Sequence, residues 1–395
     1  MQGTGRRWAD RMRRMATVSV SCAVLLMQTG CRAEVPWPLW QAYRTKFLDA
    51  SGRVVDHDPG GNEHTTSEGM AYGMFFALVT NDRASFDKML HWTEDNLAGG
   101  DLTVRLPSWN WGKSPEGQWK TLDANSAADA DVWLAYDLLE AGRMWKDDRL
   151  AKLGSVMSDR IAHSEIALVP GLGTVLLPGS SGFHPQENSF ILNPSYTPPQ
   201  VLARLRVDAP QGPWSSLQQS YPLMIQGSAP GGFPMDWITA GTSINPSGTP
   251  TQLATGKTDF TPVSSYEAIR VYLWLGTADK GTPGVSEALE YLPGMARYLQ
   301  TNSTPPLQVD STGKVANADG TIGFSAAVIP YLVALGQKGQ AKVQSDRLTA
   351  SKDPSTGLYG RSTFYYDQNL ALFSTGWSEG RFRFDRDGKL KLKWK

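Results

Sequence analysis

The residues best placed for chemistry are three acids that stand where apolar, helix-spaced segments begin. Ser or Thr followed three residues later by Asp or Glu occurs at Thr65 to Glu68, Ser126 to Asp129 and Ser264 to Glu267. Behind the first come Met70, Met74, Phe75 and Leu78; behind the second Val132, Ala135, Leu138, Leu139 and Gly142; behind the third Ile269, Val271 and Leu273 around Trp274. Each pattern reads plainly as a helix cap. The chemical reading is that parallel helices would gather their N-termini, and with them the carboxylates, at one end of the fold. Facing carboxyls suit proton transfer, one giving and one taking.

Aromatic side chains crowd the same stretches: Trp109, Trp111, Trp119, Trp133, Trp237, Tyr266, Tyr272, Trp274, Tyr365, Tyr366 and Trp377. Such rings commonly fill a core, and they also stack on the faces of neutral sugars. A carboxylic acid and a carboxylate flanking a glycosidic bond cleave it without metal or thiol. Other chemistries lack their residues. The histidines His57, His64, His91, His163 and His184 form no pair four residues apart, and Asp56-His57-Asp58 alone makes no metal site. Thr255-Gly256-Lys257-Thr258 has Thr251 where a phosphate loop needs glycine. Ser325 sits in a helical pattern without the final glycine of a nucleophile elbow. Neither metal nor cofactor is implied.

Residues 1–33 read as a secretory signal, with Arg6, Arg7, Arg11, Arg13 and Arg14 ahead of an apolar stretch and Cys31-Arg32-Ala33 at a cleavage site. Its removal takes both cysteines, Cys22 and Cys31, and leaves 32 basic against 37 acidic side chains, a net of about −5. A periplasmic or secreted protein follows, held by its core without disulfides. The charge gives no pull towards nucleic acid, and no later segment reads as a stable membrane insertion.

The positioning elements read as helices over 37–47, 67–79, 86–97, 128–144, 149–161, 199–205, 214–225, 264–275, 285–300, 324–335 and 367–374, with 169–177 as the best strand. Long Gly-, Pro- and Trp-rich connections at 98–125, 178–198 and 227–263 suit working loops. The basic C-terminus, residues 389–395, reads as a frayed tail or edge strand. Residues 34–395 are expected to form a single helical domain, a closed solenoid of helix pairs.

Ala127-Ala128-Asp129-Ala130-Asp131, followed by Ala135, Leu138-Leu139, Ala141 and Trp145, resembles the signature of glycoside hydrolase family 8. Thr65-Thr66-Ser67-Glu68-Gly69, Trp109-Asn110-Trp111-Gly112, Asn193-Pro194-Ser195-Tyr196, Ser264-Ser265-Tyr266-Glu267-Ala268-Ile269-Arg270-Val271-Tyr272 and Gly323-Phe324-Ser325-Ala326-Ala327 look like motifs of the periplasmic endoglucanases encoded beside bacterial cellulose synthases. The resemblance implies an all-α (α/α)6 barrel with few short strands and long loops at the active-site end. It also implies inverting, endo-acting hydrolysis of β-1,4-glucan during cellulose production.

By the same resemblance Glu68 is the general acid, Glu267 the base that activates water, and Asp129 the residue that binds and distorts the sugar; Asp129 is also the alternative base. Trp109, Trp111, Asp131, Trp133, Tyr196, Tyr266, Arg270 and Tyr366 are expected to contact substrate. The expected partner is the glucan itself, with association with cellulose synthase or export machinery implied by the resemblance alone, and the chain is expected to work as a monomer. Two residues depart from the pattern: Glu267 stands where Asp is common, and Ala128 where Ser or Thr is. Chitosan, xylan or mixed-linkage glucan are rival substrates, and a non-catalytic glucan-binding factor is the rival outside enzymes. A helix N-terminus favours the ionised carboxylate, so an acid at Glu68 needs an opposing push, expected chiefly from Asp129 and from desolvation by substrate.

Overall fold

Helices account for most of the architecture in the computed structural model, which describes residues 34–57, 61–184, 187–241, 244–245, 262–360 and 364–395. Residues 1–33, read as a secretory signal, and the loop at 255–258 lie outside the described residues, and 34–395 form one unit by their contacts. In chain order the helices are α1 Pro38–Phe47, α2 Ser67–Val79, α3 Arg83–Leu97, α4 Ala128–Trp145, α5 Asp148–Ser164, α6 Pro199–Asp208, α7 Trp214–Ser228, α8 Ile269–Thr277, α9 Val285–Glu290, α10 Pro293–Tyr298, α11 Ile322–Ala334, α12 Lys338–Ala350 and α13 Tyr365–Ser378.

Their pairing makes an (α/α)6 barrel. Inner helices follow one another around the ring, α2 on α4, α4 on α6, α6 on α8, α8 on α11 and α11 on α13. Phe373 of α13 closes the ring against Tyr72, Phe75 and Phe76 of α2. Outside them α3 backs α2, α5 backs α4, α7 backs α6, α9 touches α7 and α8, α12 backs α11 and α1 backs α13. The sequence separates the layers. In α2 and α11 nearly every residue is buried, whereas α12 buries Ala341, Gln344 and Leu348 on a narrow stripe. Close approach is needed where α4 meets α5: a Cβ on Gly142 would stand 2.5 Å from the backbone nitrogen of Ala151.

The barrel axis is filled by rings. Trp133 lies within 5.1–5.2 Å of Phe75, Trp274 and Phe373. The C-terminus is an edge hairpin rather than a frayed tail, with Phe382–Phe384 antiparallel to Leu390–Leu392. Glu140 near the C-terminal end of α4 accepts the Leu390 amide at 2.8 Å and the Arg204 guanidinium at 2.6 Å, while Arg143 donates to the Leu390 carbonyl at 2.7 Å. The hairpin therefore covers the end opposite to where Asp129 emerges.

Several segments depart from the periodicity reading for local reasons. The single helix expected over 285–300 is two, because Pro293 lacks the amide to continue α9 and instead opens α10. The strand expected over 169–177 is a hairpin, Ile166–Val169 with Gly173–Leu176, folded at Gly171 (φ +79°). The helix expected from 264 starts at Ile269, since Val263–Ser264 pairs as a strand with Val309 and Asp310. The long loops carry short antiparallel strands of two to five residues, too short to show alternation.

Candidate active site

Arg270 ties the three acids together. It leaves the first turn of α8 with 2 % of its side chain exposed. Its Nη1 donates to Glu68 Oε2, to Asp129 Oδ2 at 2.8 Å and to the Tyr72 hydroxyl at 3.3 Å, and its Nη2 donates to Glu267 Oε2. Glu68 and Asp129 each occupy the second position of an inner helix, and Glu267 the turn just before α8. Acids some 60 and 140 residues apart in the chain thus meet across a cavity of about 260 Å³. Its walls also include Trp109, Tyr196, Tyr266 and Tyr366.

Backbone ties set each wall. The Ser67 amide donates to the Trp109 carbonyl at 3.0 Å, which holds the Trp109 segment against the start of α2. Thr66, not Thr65, caps that helix by accepting the Gly69 amide at 3.1 Å. Asn193 donates through Nδ2 to Glu267 Oε2 at 3.1 Å while its Oδ1 accepts from Ser195, and Trp274 donates to the Ser195 carbonyl at 3.0 Å. The Arg270 guanidinium stands 5.4 Å from the Tyr196 ring centre. The Tyr366 hydroxyl donates to the Tyr266 carbonyl, fixing two aromatic edges of the cavity.

Burial dominates the electrostatics. It raises the Glu68 carboxyl to about 8, against the pull of Arg270 and helped by the charges of Asp129 and Glu267 and a hydrogen bond to Asp129. The push expected mainly from Asp129 is therefore secondary, and the protein's own desolvation already holds Glu68 protonated near neutrality. The helix terminus, worth about 0.3–1 kcal/mol, is too weak to reverse this.

The model of glycosyl hydrolases family 8 matches residues 14–380. The chain belongs to that family. It is 42% identical over 362 residues to an endoglucanase of Xanthomonas axonopodis pv. citri (strain 306), covering 91% of this chain and 90% of the relative. To an endoglucanase of Escherichia coli (strain K12) it is 41% identical over 373 residues, covering 94% and 95%. The crystal structure of an endo-1,4-D-glucanase from Vibrio fischeri ES114 superposes with a TM-score of 0.81 at 38% identity, covering 91% of this chain and 99% of that one.

In this family 8 chain the cavity gathers Glu68, Asp129, Glu267, Trp109, Tyr196, Tyr266, Arg270 and Tyr366. Three residues expected to touch substrate stand elsewhere. Asp131 is fully buried and faces Glu165, because two residues along a helix turn the side chain about 200° away from Asp129. Trp133 is part of the axial aromatic core. Trp111 is off the cavity wall, stacked at 5.2 Å on Trp119 with Trp92 against its edge. The cap reading also fails at Ser126, whose hydroxyl donates to Glu165 Oε1 at 2.5 Å and accepts the Ser180 amide at 3.0 Å. Sequence reasoning did not single out Tyr72 or Asp236, and it quoted Asn193 only as part of a motif, with no role. Asp236 lies in the long segment between α7 and α8, with no periodic pattern to mark it. Among the described residues no group of three or more His, Cys, Asp or Glu is placed to hold a metal ion.

Proposed function

We propose that this chain cuts internal β-1,4-glucosidic bonds of cellulose or its soluble derivatives with inversion at the anomeric carbon. The observation that carries the reading is the cavity in which Glu68, protonated near neutral pH, shares Arg270 with two further carboxylates beneath a rim of aromatic rings. Glu68 gives its proton to the leaving glycosidic oxygen. Glu267 takes a proton from the water that attacks the opposite face of the sugar. Asp129, held by Arg270 and by the Ala130 amide at 2.8 Å, grips the hydroxyls of the reacting glucose and favours its distorted ring. Arg270 donates to all three acids, and burial keeps the proton on Glu68 against its pull. Trp109, Tyr196, Tyr266 and Tyr366 offer faces and hydroxyls to the neighbouring sugars.

Soluble carboxymethylcellulose should lose viscosity well before much reducing sugar accumulates, and proton NMR of a cello-oligosaccharide digest should show the α-anomer first. An unchanged viscosity would leave a glucan-binding factor, and a β-anomer first would mean retention. The basic and apolar character of residues 1–33 supports export to the periplasm or beyond. We assign the enzyme there to trimming glucan during cellulose production, working as a monomer that associates with the synthase or export machinery. Fractionation of cells, followed by co-purification with tagged synthase subunits, tests this; recovery in the cytoplasm alone would refute it.

A further inference from the structure

The turn that carries Glu267 is held from a distance. Asp236 Oδ1 accepts the amide of Ser265 at 2.7 Å and that of Ala268 at 2.9 Å, on either side of Glu267. The Asp236 amide in turn donates to the Val263 carbonyl at 2.7 Å, so one residue grips the turn at both its start and its end. The residues just before α8 supply no side-chain cap, and this acceptor, 32 residues away from Ala268, does so instead.

Asp236 is 8 % exposed and stands off the cavity wall, so it acts on the site through the turn it grips. Its burial is sustained for some return. An Ala there would leave two amides without the acceptor they have here. The Glu267 side chain ends in a carboxylate three rotatable bonds from its Cα; Asn193 and Arg270 fix that far end. They cannot fix the near end. A backbone free to shift would carry the carboxylate with it, and a displacement near 1 Å costs up to about 10²-fold in rate.

We propose that Asp236 is a positioning residue for Glu267: it locks the Ser265–Ala268 turn so that the Glu267 carboxylate meets the attacking water in line, without itself touching substrate. This rests on the reading of Glu267 as the base. Burial, and then the charge of Glu267, raise Asp236 to about 7 against the bonds from Ala268 and Ser265. Because Oδ1 accepts in either protonation state, the lock does not depend on the charge.

Steady-state kinetics on a cello-oligosaccharide test this. Asp236→Ala should lower kcat by about 30- to 100-fold with KM within about twofold, while Asp236→Asn, which keeps the acceptor, should stay within about fivefold of the parent. In a Glu267→Gln background, adding Asp236→Ala should change the residual kcat by less than about twofold, since the two act through one carboxylate. A simple helix cap would instead lower Tm, leave kcat within about threefold, and act additively with Glu267→Gln; that result would overturn the proposal. So would an Asp236→Asn as damaged as Asp236→Ala. If Asp236→Ala fails to fold, Asp236→Ser carries the same prediction, its hydroxyl being too short to span both amides. Full activity in Glu267→Gln alone would instead remove the base reading on which the proposal stands.

Discussion

Asp129 and Asp131 leave the same turn of α4, two residues apart, into opposite environments. Asp129 faces Arg270, Glu68 and the cavity; Asp131 faces Glu165 inside the protein, where both are fully buried. The first cluster shares a guanidinium, which pulls against the burial that keeps the proton on Glu68. The second lowers its charge by holding a proton: burial, then the charge and hydrogen bond of Glu165, raise Asp131, and burial raises Glu165 to about 7. An acid is thus suited to chemistry by what stands opposite it.

The largest break in that comparison comes from removing the transferable proton. Glu68→Gln should lower kcat by about 10³-fold, within the range for general acid catalysis, while glucan binding measured by calorimetry changes little. Asp131→Asn should leave kcat within about threefold, so an equal collapse in both variants would erase the distinction between the clusters. A second break concerns Trp133, which the same helix sends into the core. Trp133→Ala should cost about 3–5 kcal/mol of stability by denaturant unfolding. A rise in KM at unchanged stability would return Trp133 to the substrate.

Much of this was legible in the chain. Helix-spaced apolar residues predicted α2, α4 and α5 to within a few positions, and the three acid-bearing motifs pointed to one end of the barrel. Helical phase was also there to be read: an angle of 100° per residue separates Asp129 from Asp131. What faces each of them was not, because Glu165 lies beyond α5 and Arg270 more than a hundred residues on. The Ser126 motif misled for the same reason. Its hydroxyl finds Glu165 and Ser180 rather than its own helix, a tertiary choice overriding a local one. Asp236 lay beyond reach entirely, since its partners are amides 29 and 32 residues away.

The smallest expected effect is the most specific to the buried pair. Carboxyls raised by folding favour the native state below their unfolded values, about 3.9 for Asp and 4.3 for Glu, and that advantage disappears as pH climbs through the native values. With Glu165 and Asp236 near 7 and Glu68 near 8, Tm should fall between pH 5 and pH 8.5. Glu165→Gln keeps an oxygen to accept the Ser126 hydroxyl and presents an amide to Asp131 in place of the second carboxyl oxygen. At pH 5 the variant should match the parent within about 1 kcal/mol, because one hydrogen bond replaces another. At pH 8.5 it should melt about 2 °C or more above the parent, since Glu165 no longer brings in a buried charge as pH climbs through 7. Parallel Tm profiles for parent and variant across this range would show that Glu165 does not hold the proton, and the contrast with the cavity acids would then rest on Asp131 alone.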